Sequence, residues 1–228
     1  MAERQPAGTE EHCTVRGAIE QQALEIFSRK GYHAASIRDI VEAAGVTAPT
    51  LYYHYGSKEG LYSHLLDQAI DRLRQRIDVA RAAGGGIRSQ LVTIVQGHIE
   101  ALQQRPAEVR FLHRAILSTV LQGSSPAQLL HCRMEQLPMP GIFLDALARG
   151  ELAPVRPDLL LNAFIGAINM YVGTRIFMIC EGKEQLELGM CPSSAPGTME
   201  GLETSMEDAE RIVDLFLAGA AGRQEVQR

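Results

Sequence analysis

A dense run of small and hydrogen-bonding side chains occupies residues 45–58, with the sequence Gly-Val-Thr-Ala-Pro-Thr-Leu-Tyr-Tyr-His-Tyr-Gly-Ser-Lys. Threonine, tyrosine, histidine and lysine side chains can hydrogen-bond to phosphate oxygens and to the edges of nucleic-acid bases. Small residues at the start of the run would let a helix approach base edges closely. The run therefore predicts a short helix, from about Ala48 to Tyr55, that enters the major groove of DNA.

The residues just before this run predict the first half of a helix-turn-helix. Ser36 and Asp39 have the spacing of a capping box, and a helix that ends at Ala44 would bury its apolar residues at helical spacing. Gly45 then supplies a left-handed turn. Two short helices joined in this way have helix-turn-helix dimensions.

Lys58 lies in the first turn of the next predicted helix, after Ser57 at the N-cap. The helix dipole disfavours a cation at this end, and a bound phosphate would resolve the conflict. Two interpretations stay open for Lys58. It grips a DNA phosphate, or it is a solvated lysine beside Glu59; the surrounding pattern favours the phosphate.

The same residues resemble the DNA-binding domain of the TetR (tetracycline-repressor-like) family of transcriptional regulators, over about Thr14 to Asp67. The matching positions are Ala23 and Phe27, Gly31-Tyr32, Ser36-Ile-Arg-Asp-Ile, Ala44-Gly45-Val46, Leu51-Tyr-Tyr-His-Tyr and Ser57-Lys-Glu-Gly-Leu61. The resemblance covers about a quarter of the chain strongly, and the remainder agrees in length and helical character. It implies a C-terminal domain that binds a ligand and forms a dimer.

The resemblance also implies roles for residues in and around the predicted groove helix. Groove or base-edge contacts would come from Arg38, Thr47, Ala48, Pro49 and Thr50, and phosphate contacts from Ser36, Tyr52, Tyr53, His54 and Lys58. The family commonly has a long polar side chain before the proline, where this chain has Ala48. Arg38 is then the strongest candidate for bidentate readout of guanine. A salt bridge from Arg38 to Glu42, one turn along the helix, is the alternative.

Composition and charge limit the possible fold class and cellular compartment. Apolar residues make up 46% of the 228 residues, and alternating β-branched runs are missing, which predicts an all-α fold. The formal net charge is −5, with as many basic as acidic residues over 1–88, so DNA affinity must come from a few placed cations, helix N-termini and dimerisation. Four cysteines without paired spacing and a polar start predict a cytoplasmic protein without a metal site or cofactor.

Glycines and prolines predict the domain organisation. We expect a disordered tail over 1–13, a three-helix helix-turn-helix domain over 14–60, a helical effector-binding and dimerisation domain over 61–220, and a tail over 221–228. Predicted helices span about 14–30, 36–44, 48–55, 58–82, 87–104, 106–121, 141–148, 158–180 and 205–218. A loop over 182–204, rich in Gly, Pro and Ser, is either disordered or a ligand gate.

The segment from Asp158 to Cys180 is apolar enough to resemble a membrane span. Asn162, Asn169 and Arg175 would be costly in lipid, so we expect a helix of a soluble domain that is packed on several sides and contacts no membrane. Paired with the last helix, it resembles the helices through which family members form a two-fold dimer interface.

The middle helices predict a site for a small, hydrophobic effector. Their Met and Phe side chains are the candidate pocket residues: Phe111, Met134, Phe143, Phe164, Met170 and Phe177. Ordinary core packing is the alternative for each of them.

The favoured function is a repressor that reads a palindromic operator as a homodimer and is released by its ligand. A ligand-independent DNA-binding regulator and an all-α enzyme are the alternatives, and an activator is compatible with the same residues. An enzyme would need a nucleophile with a base, a metal cluster or a cofactor loop. None occurs at a recognisable spacing, so the chain is predicted not to be an enzyme.

Overall fold

The computed structural model describes residues 8–122, 130, 132–187 and 205–220. Within these ranges the regular elements are α-helices and no strand occurs, which confirms the predicted all-α fold. The helices are α1 (Gly8–Ala34), α2 (Ile37–Ala44), α3 (Ala48–Tyr55), α4 (Lys58–Ala82), α5 (Ile87–Gln104), α6 (Pro106–Gln122), α7 (Met139–Ala148), α8 (Pro157–Glu187) and α9 (Met206–Ala220).

Glycine and proline mark the ends of the central helices. Gly84 and Gly85 have φ values of 69° and 81°, which end α4 and separate it from α5. Pro106 and Pro157 are the first residues of α6 and α8, where the missing N–H costs no helical hydrogen bond. The predicted bounds of α4 (58–82) and α5 (87–104) are confirmed.

The largest differences from the predicted boundaries are at the start of α1 and at the end of α8. Helix α1 begins at Gly8, whereas the sequence predicted a first helix from about Thr14 after a tail over 1–13. Helix α8 continues to Glu187, because residues 183–187, Lys-Glu-Gln-Leu-Glu, are good helix formers. The expected loop over 182–204 is therefore wrong at its start, and residues 188–204 lie outside the described residues.

The chain divides into two compact units. Unit 1 comprises Met1–Asp71 and Ala107–Glu135, and unit 2 comprises Arg72–Pro106 and Gln136–Arg228. Helices α4 and α6 therefore contribute residues to both units.

An aromatic cluster forms the centre of unit 1. The ring of Tyr62 lies 5.1 Å from Phe27 and 4.9 Å from Phe111, with edge-to-face geometry in both pairs. Phe27 and Phe111 are each 1% exposed. Burying one such ring stabilises the fold by about 1.5–3 kcal/mol, so the cluster fixes α1, α4 and α6 against one another.

Unit 2 has its own aromatic core. Phe164 of α8 lies 5.8 Å from Phe143 of α7 and 5.3 Å from Phe216 of α9. On the surface, the Arg88 guanidinium of α5 donates to both carboxylate oxygens of Asp214 in α9, at 2.7 and 2.9 Å. The core and this bidentate pair together hold α5, α7, α8 and α9 in one unit.

Helix α8 keeps a large apolar face exposed. Its residues Pro157–Ile176 have a mean hydropathy of 1.3, and only 22% of this apolar stretch is buried. Among the described residues, this is the one helix long and apolar enough to cross a membrane by length and composition, and core helices of soluble proteins can be equally long and apolar. The expectation of a helix packed on several sides is therefore not met within the single chain.

Candidate nucleic-acid interface

Both halves of the predicted capping box are present at the start of α2. The Ser36 hydroxyl accepts from the Asp39 N–H at 3.1 Å, and the Asp39 carboxylate accepts from the Ser36 N–H at 3.3 Å. The same carboxylate accepts from the Lys30 ammonium at 2.9 Å. These bonds satisfy first-turn donors of α2 and fix where the helix begins.

Gly45 makes the turn between α2 and α3. Its φ of 66° places it in the left-handed region. The Val46 N–H donates to the Val41 carbonyl at 3.0 Å, and the Gly45 N–H donates to the Glu42 carbonyl at 3.4 Å, which is the bond pattern of a Schellman motif. The expected left-handed turn is confirmed.

Helix α3 is anchored on one side and exposed on the other. Thr47 caps it by accepting from the Thr50 N–H at 3.4 Å. Leu51 is completely buried, whereas Tyr52 and Tyr53 are 48% and 78% exposed. A buried leucine therefore holds the helix in place while two tyrosines face solvent, where a nucleic acid could reach them.

The structure places the ten predicted DNA contacts on consecutive elements of unit 1, and all are at least partly accessible. Ser36, Arg38, Thr47, Pro49, Tyr52 and Tyr53 are exposed, and Ala48, Thr50, His54 and Lys58 are half-buried. Ser36 and Thr47 already use their hydroxyl oxygens as helix caps. The Ser36 hydroxyl retains a hydrogen that can be donated to a phosphate. The Thr47 hydroxyl also lies 2.8 Å from the Thr50 hydroxyl, and either of these two can be the donor.

Arg38 adopts the salt bridge that the sequence allowed as its alternative role. Its Nε lies 2.7 Å from Oε1 of Glu42, and the two side chains are 84% and 62% exposed. This hydrogen bond, followed by the charge of Glu42, raises the pKa of Arg38 above its ordinary value. The guanidinium remains charged and open to solvent on one side.

Lys58 has partners that the sequence did not suggest. Its ammonium donates to the carbonyl oxygens of Tyr32 and Ala35, each at 2.9 Å, and lies 4.4 Å from the centre of the Tyr32 ring. The Tyr32 carbonyl belongs to the last turn of α1 and the Ala35 carbonyl to the residue after it; the helical φ/ψ of α1 is interrupted at Gly31. Lys58 thus closes the end of α1 from the start of α4 and has one N–H left for another acceptor.

Gly60 has a role that the sequence reasoning missed. A Cβ atom at this position would lie 2.1 Å from the carbonyl oxygen of Tyr55, so no other residue fits the turn from α3 into α4 without movement of the backbone. Gly56, with a φ of 73°, makes the same turn. The run Tyr55-Gly56-Ser57-Lys58-Glu59-Gly60, with two glycines four residues apart, is the only signal for this close approach.

A second missed feature is the hydrogen-bonded cluster around Glu20 of α1. Its carboxylate accepts from the Tyr55 hydroxyl at 2.9 Å, lies 2.9 Å from Nε2 of His64, and accepts from the Gln68 amide at 3.1 Å. Burial opposes ionisation of Glu20, but the hydrogen bonds outweigh it and lower the pKa of the carboxyl. Burial, with the bond to Glu20, raises the pKa of Tyr55 to about 12. The cluster ties α3 and α4 to α1.

The structure places the predicted pocket residues in both units. Phe111 belongs to the aromatic core of unit 1, where Met134 is half-buried, and Phe143 and Phe164 belong to the core of unit 2. Met170 is 72% exposed on α8. Phe177 lies beyond the residues whose side chains the structure describes. In the part of the chain that the structure describes, no group of three His, Cys, Asp or Glu side chains could hold a metal ion.

Comparison with known proteins gives matches of two kinds. The family model described as bacterial regulatory proteins, tetR family, matches residues 19–65. The HTH-type transcriptional repressor ComR of Escherichia coli is 47% identical over 57 residues, which are 25% of this chain and 27% of ComR. The repressor KstR of Mycolicibacterium smegmatis is 31% identical over 144 residues, which are 63% of this chain and 68% of KstR.

Solved structures share the fold over nearly the whole chain. FadR of Bacillus subtilis, solved in complex with stearoyl-CoA, has a TM-score of 0.66 and 17% identity, with 90% of this chain and 98% of that chain covered. The sequence matches are shorter: the chain spans 27% of ComR, 40% of the activator FasR of M. smegmatis and 47% of the repressor KstR2 of Mycobacterium tuberculosis.

Proposed function

Because the chain belongs to the tetR family of bacterial regulatory proteins, we propose that it is a transcription factor, and specifically a repressor, that binds double-stranded DNA. The observation that carries the proposal is the architecture of α3. Leu51 anchors this helix in the core while Tyr52 and Tyr53 remain exposed, which is how a recognition helix must present its outer face to a major groove.

We assign two kinds of contact to the ten predicted residues. Arg38, Thr47, Ala48, Pro49 and Thr50 face the groove in this proposal, and Ser36, Tyr52, Tyr53, His54 and Lys58 hold phosphates. Arg38 is the residue with the geometry to read guanine through two hydrogen bonds. Lys58 contributes to a phosphate only through the N–H that its two carbonyl partners leave over.

The protein acts as a homodimer on a palindromic operator in this proposal. The exposed residues of α8 repeat at helical spacing, as in Leu159, Ala163, Gly166 and Met170. Leu159 and Met170 are 53% and 72% exposed, and an apolar face of this length is typical of an interface. A second copy of α8 would cover it, and a two-fold dimer would present two α3 helices to two half-sites.

The regulatory signal is a small ligand with a hydrophobic part, which lowers the affinity for the operator. The support comes from FadR of Bacillus subtilis, which shares the fold and was solved with stearoyl-CoA, and fatty acyl-CoA is therefore the first class of ligand to test. The ligand acts by binding one conformer of the dimer more tightly than the other.

The test is a selection of duplexes with random sequence by the purified protein, refolded from denaturant to remove any ligand that copurifies. An enriched palindrome is expected. A Tyr53→Ala variant, in which an exposed phosphate-contacting side chain is shortened, should retain the same palindrome more weakly. Folded, dimeric protein that enriches no sequence would contradict the proposal.

A further inference from the structure

A cationic cleft of about 450 Å³ lies within unit 2, between α4, α5 and the first residue of α9. Arg72 and Arg76 come from α4, and Arg105 follows the end of α5. Glu100 is the one carboxylate among the described lining residues, so positive charge exceeds negative charge by two. This local excess stands out in a chain whose formal net charge is −5.

We propose that this cleft binds the phosphate-bearing end of an amphiphilic metabolite. The inference rests on the proposed function, because the metabolite is the ligand that regulates DNA binding, and it adds where the ligand binds and which chemical group is recognised. The volume lies within the range of about 300–1,000 Å³ that is usual for small-molecule sites.

Guanidinium groups are suited to phosphate recognition. Each presents a rigid fork of N–H donors that matches two phosphate oxygens, and clefts lined by one sign of charge concentrate ligands of the opposite sign. Arg105 is exposed and forms no ion pair with any described carboxylate. Its guanidinium can therefore turn to a ligand without breaking a salt bridge.

Gly97 lets Arg76 lie against α5. A Cβ atom at position 97 would be 2.9 Å from Cδ of Arg76, closer than real side chains approach. Any larger residue at position 97 would move the Arg76 side chain. Position 97 therefore offers a way to displace one cation of the cleft without removing its charge.

Apolar side chains at the cleft explain why the ligand should be amphiphilic. Val79 and Met206 both line it and are 61% and 46% exposed. An inorganic phosphate would leave these side chains in water, whereas a ligand with an apolar part would cover them. Gln96, a further lining residue, supplies an amide that can donate to the polar part of the ligand.

The experiment is isothermal titration of the full chain with four probes: inorganic pyrophosphate, coenzyme A, palmitoyl-CoA and palmitate. Intrinsic tryptophan fluorescence cannot serve here, because the sequence contains no Trp. Palmitoyl-CoA is expected to bind most tightly, coenzyme A more weakly and pyrophosphate weakest, since each probe loses one set of contacts.

The variants are Arg76→Gln, Arg105→Gln and Gly97→Ala, with Arg156→Gln as the matched control. Arg156 lies in the same unit, outside the described lining of the cleft, in an exposed pair with Asp158. We expect each glutamine variant in the cleft to weaken coenzyme A and palmitoyl-CoA about tenfold or more, which is typical of a lost charge-assisted hydrogen bond. Gly97→Ala should weaken the binding of both ligands, and the affinities of the Arg156→Gln control should equal those of the native protein.

If folded Arg76→Gln and Arg105→Gln proteins bind coenzyme A and palmitoyl-CoA with unchanged affinity, the cleft is not the binding site. Equal affinities for pyrophosphate and palmitoyl-CoA would contradict the inference that the ligand is amphiphilic. These titrations contain no DNA, so their failure is separate from failure of the operator selection. Circular dichroism of each variant shows whether it is folded.

Discussion

Nε of Arg38 lies 2.7 Å from Oε1 of Glu42, one turn further along α2. Both side chains are exposed, and an exposed ion pair at this spacing contributes little to helix stability. DNA can therefore redirect Arg38 toward a base at little energetic cost. The salt bridge in the free protein is therefore compatible with base reading by Arg38 in a complex. Substitutions of Arg38 and Glu42 distinguish the two roles.

Arg38→Ala and Glu42→Ala should have opposite effects on DNA binding. Loss of Arg38 should reduce discrimination at one base pair by about 1–3 kcal/mol, because a bidentate contact is lost. Loss of Glu42 should strengthen binding, because a competing carboxylate is removed from the interface. Competition binding with the selected operator and single-base variants measures both effects. Equal, sequence-independent weakening by Arg38→Ala would exclude base reading by this residue.

Lys58→Met should reduce the stability of the protein. The substitution removes both hydrogen bonds to the end of α1 and leaves the Tyr32 and Ala35 carbonyls without this donor. The free energy of unfolding should fall by about 1–3 kcal/mol. Chemical denaturation followed by circular dichroism measures it.

Lys30→Met is the control for that experiment. Lys30 is a half-exposed lysine of the same unit whose ammonium pairs with Asp39, so we expect a loss of no more than about 1 kcal/mol. The salt dependence of operator binding tests the second role of Lys58. A slope of log affinity against log salt that is smaller by about one in Lys58→Met would support the phosphate contact, and an unchanged slope would leave only the structural role.

Local features of the interface could be predicted from the sequence, whereas long-range ones could not. The capping box of Ser36 and Asp39, the turn at Gly45 and the bounds of α4 depend on neighbouring residues, and their residue types are diagnostic. The partners of Lys58 lie 26 and 23 residues away in the chain. These partners are backbone carbonyls, which every residue has, so no residue type predicts them.

Residue type also does not identify the side chains that line a ligand pocket. Phe143 and Met170 are both apolar residues at helical spacing, yet one is fully buried and the other 72% exposed. Residue type shows that a side chain avoids water. It does not show whether the cover comes from the same chain, from a second chain or from a ligand.

Glu20→Gln should make stability less dependent on pH. The carboxyl has its ordinary pKa of 4.5 when unfolded and a lower pKa when folded. Its ionised form therefore adds stability that is fully present above pH 4.5 and is lost as pH falls through the lowered pKa. The variant should unfold at a lower temperature than the native protein at neutral pH, and the two melting temperatures should converge in acid.

Thermal melts at a series of pH values test this convergence. Glu207→Gln, which changes an exposed carboxylate of α9, is the matched control and should melt like the native protein throughout. A difference between Glu20→Gln and the native protein that stays constant from neutral to acid pH would show that ionisation of Glu20 is not the source of the stability.

Met170→Glu should convert the protein to a monomer. A charge on the exposed face of α8 would be buried without a partner in the proposed dimer, which is strongly unfavourable. Sedimentation velocity should show one protomer, and affinity for the full palindrome should fall about 100-fold or more because the two half-sites are no longer bound together. Leu117→Glu alters a 49% exposed leucine of α6 and is the control. A Met170→Glu protein that remains dimeric would place the interface elsewhere.

Gly60 sets a limit on how this chain can vary over evolutionary time. Every replacement adds a Cβ atom, which would lie 2.1 Å from the Tyr55 carbonyl oxygen, so conservative and radical substitutions meet the same barrier. The exposed residues of α3 face no such barrier and can change as the DNA target changes. In the proposed complex, substitutions in α3 can therefore change which bases the helix contacts, while the turn from α3 into α4 still requires glycine at position 60.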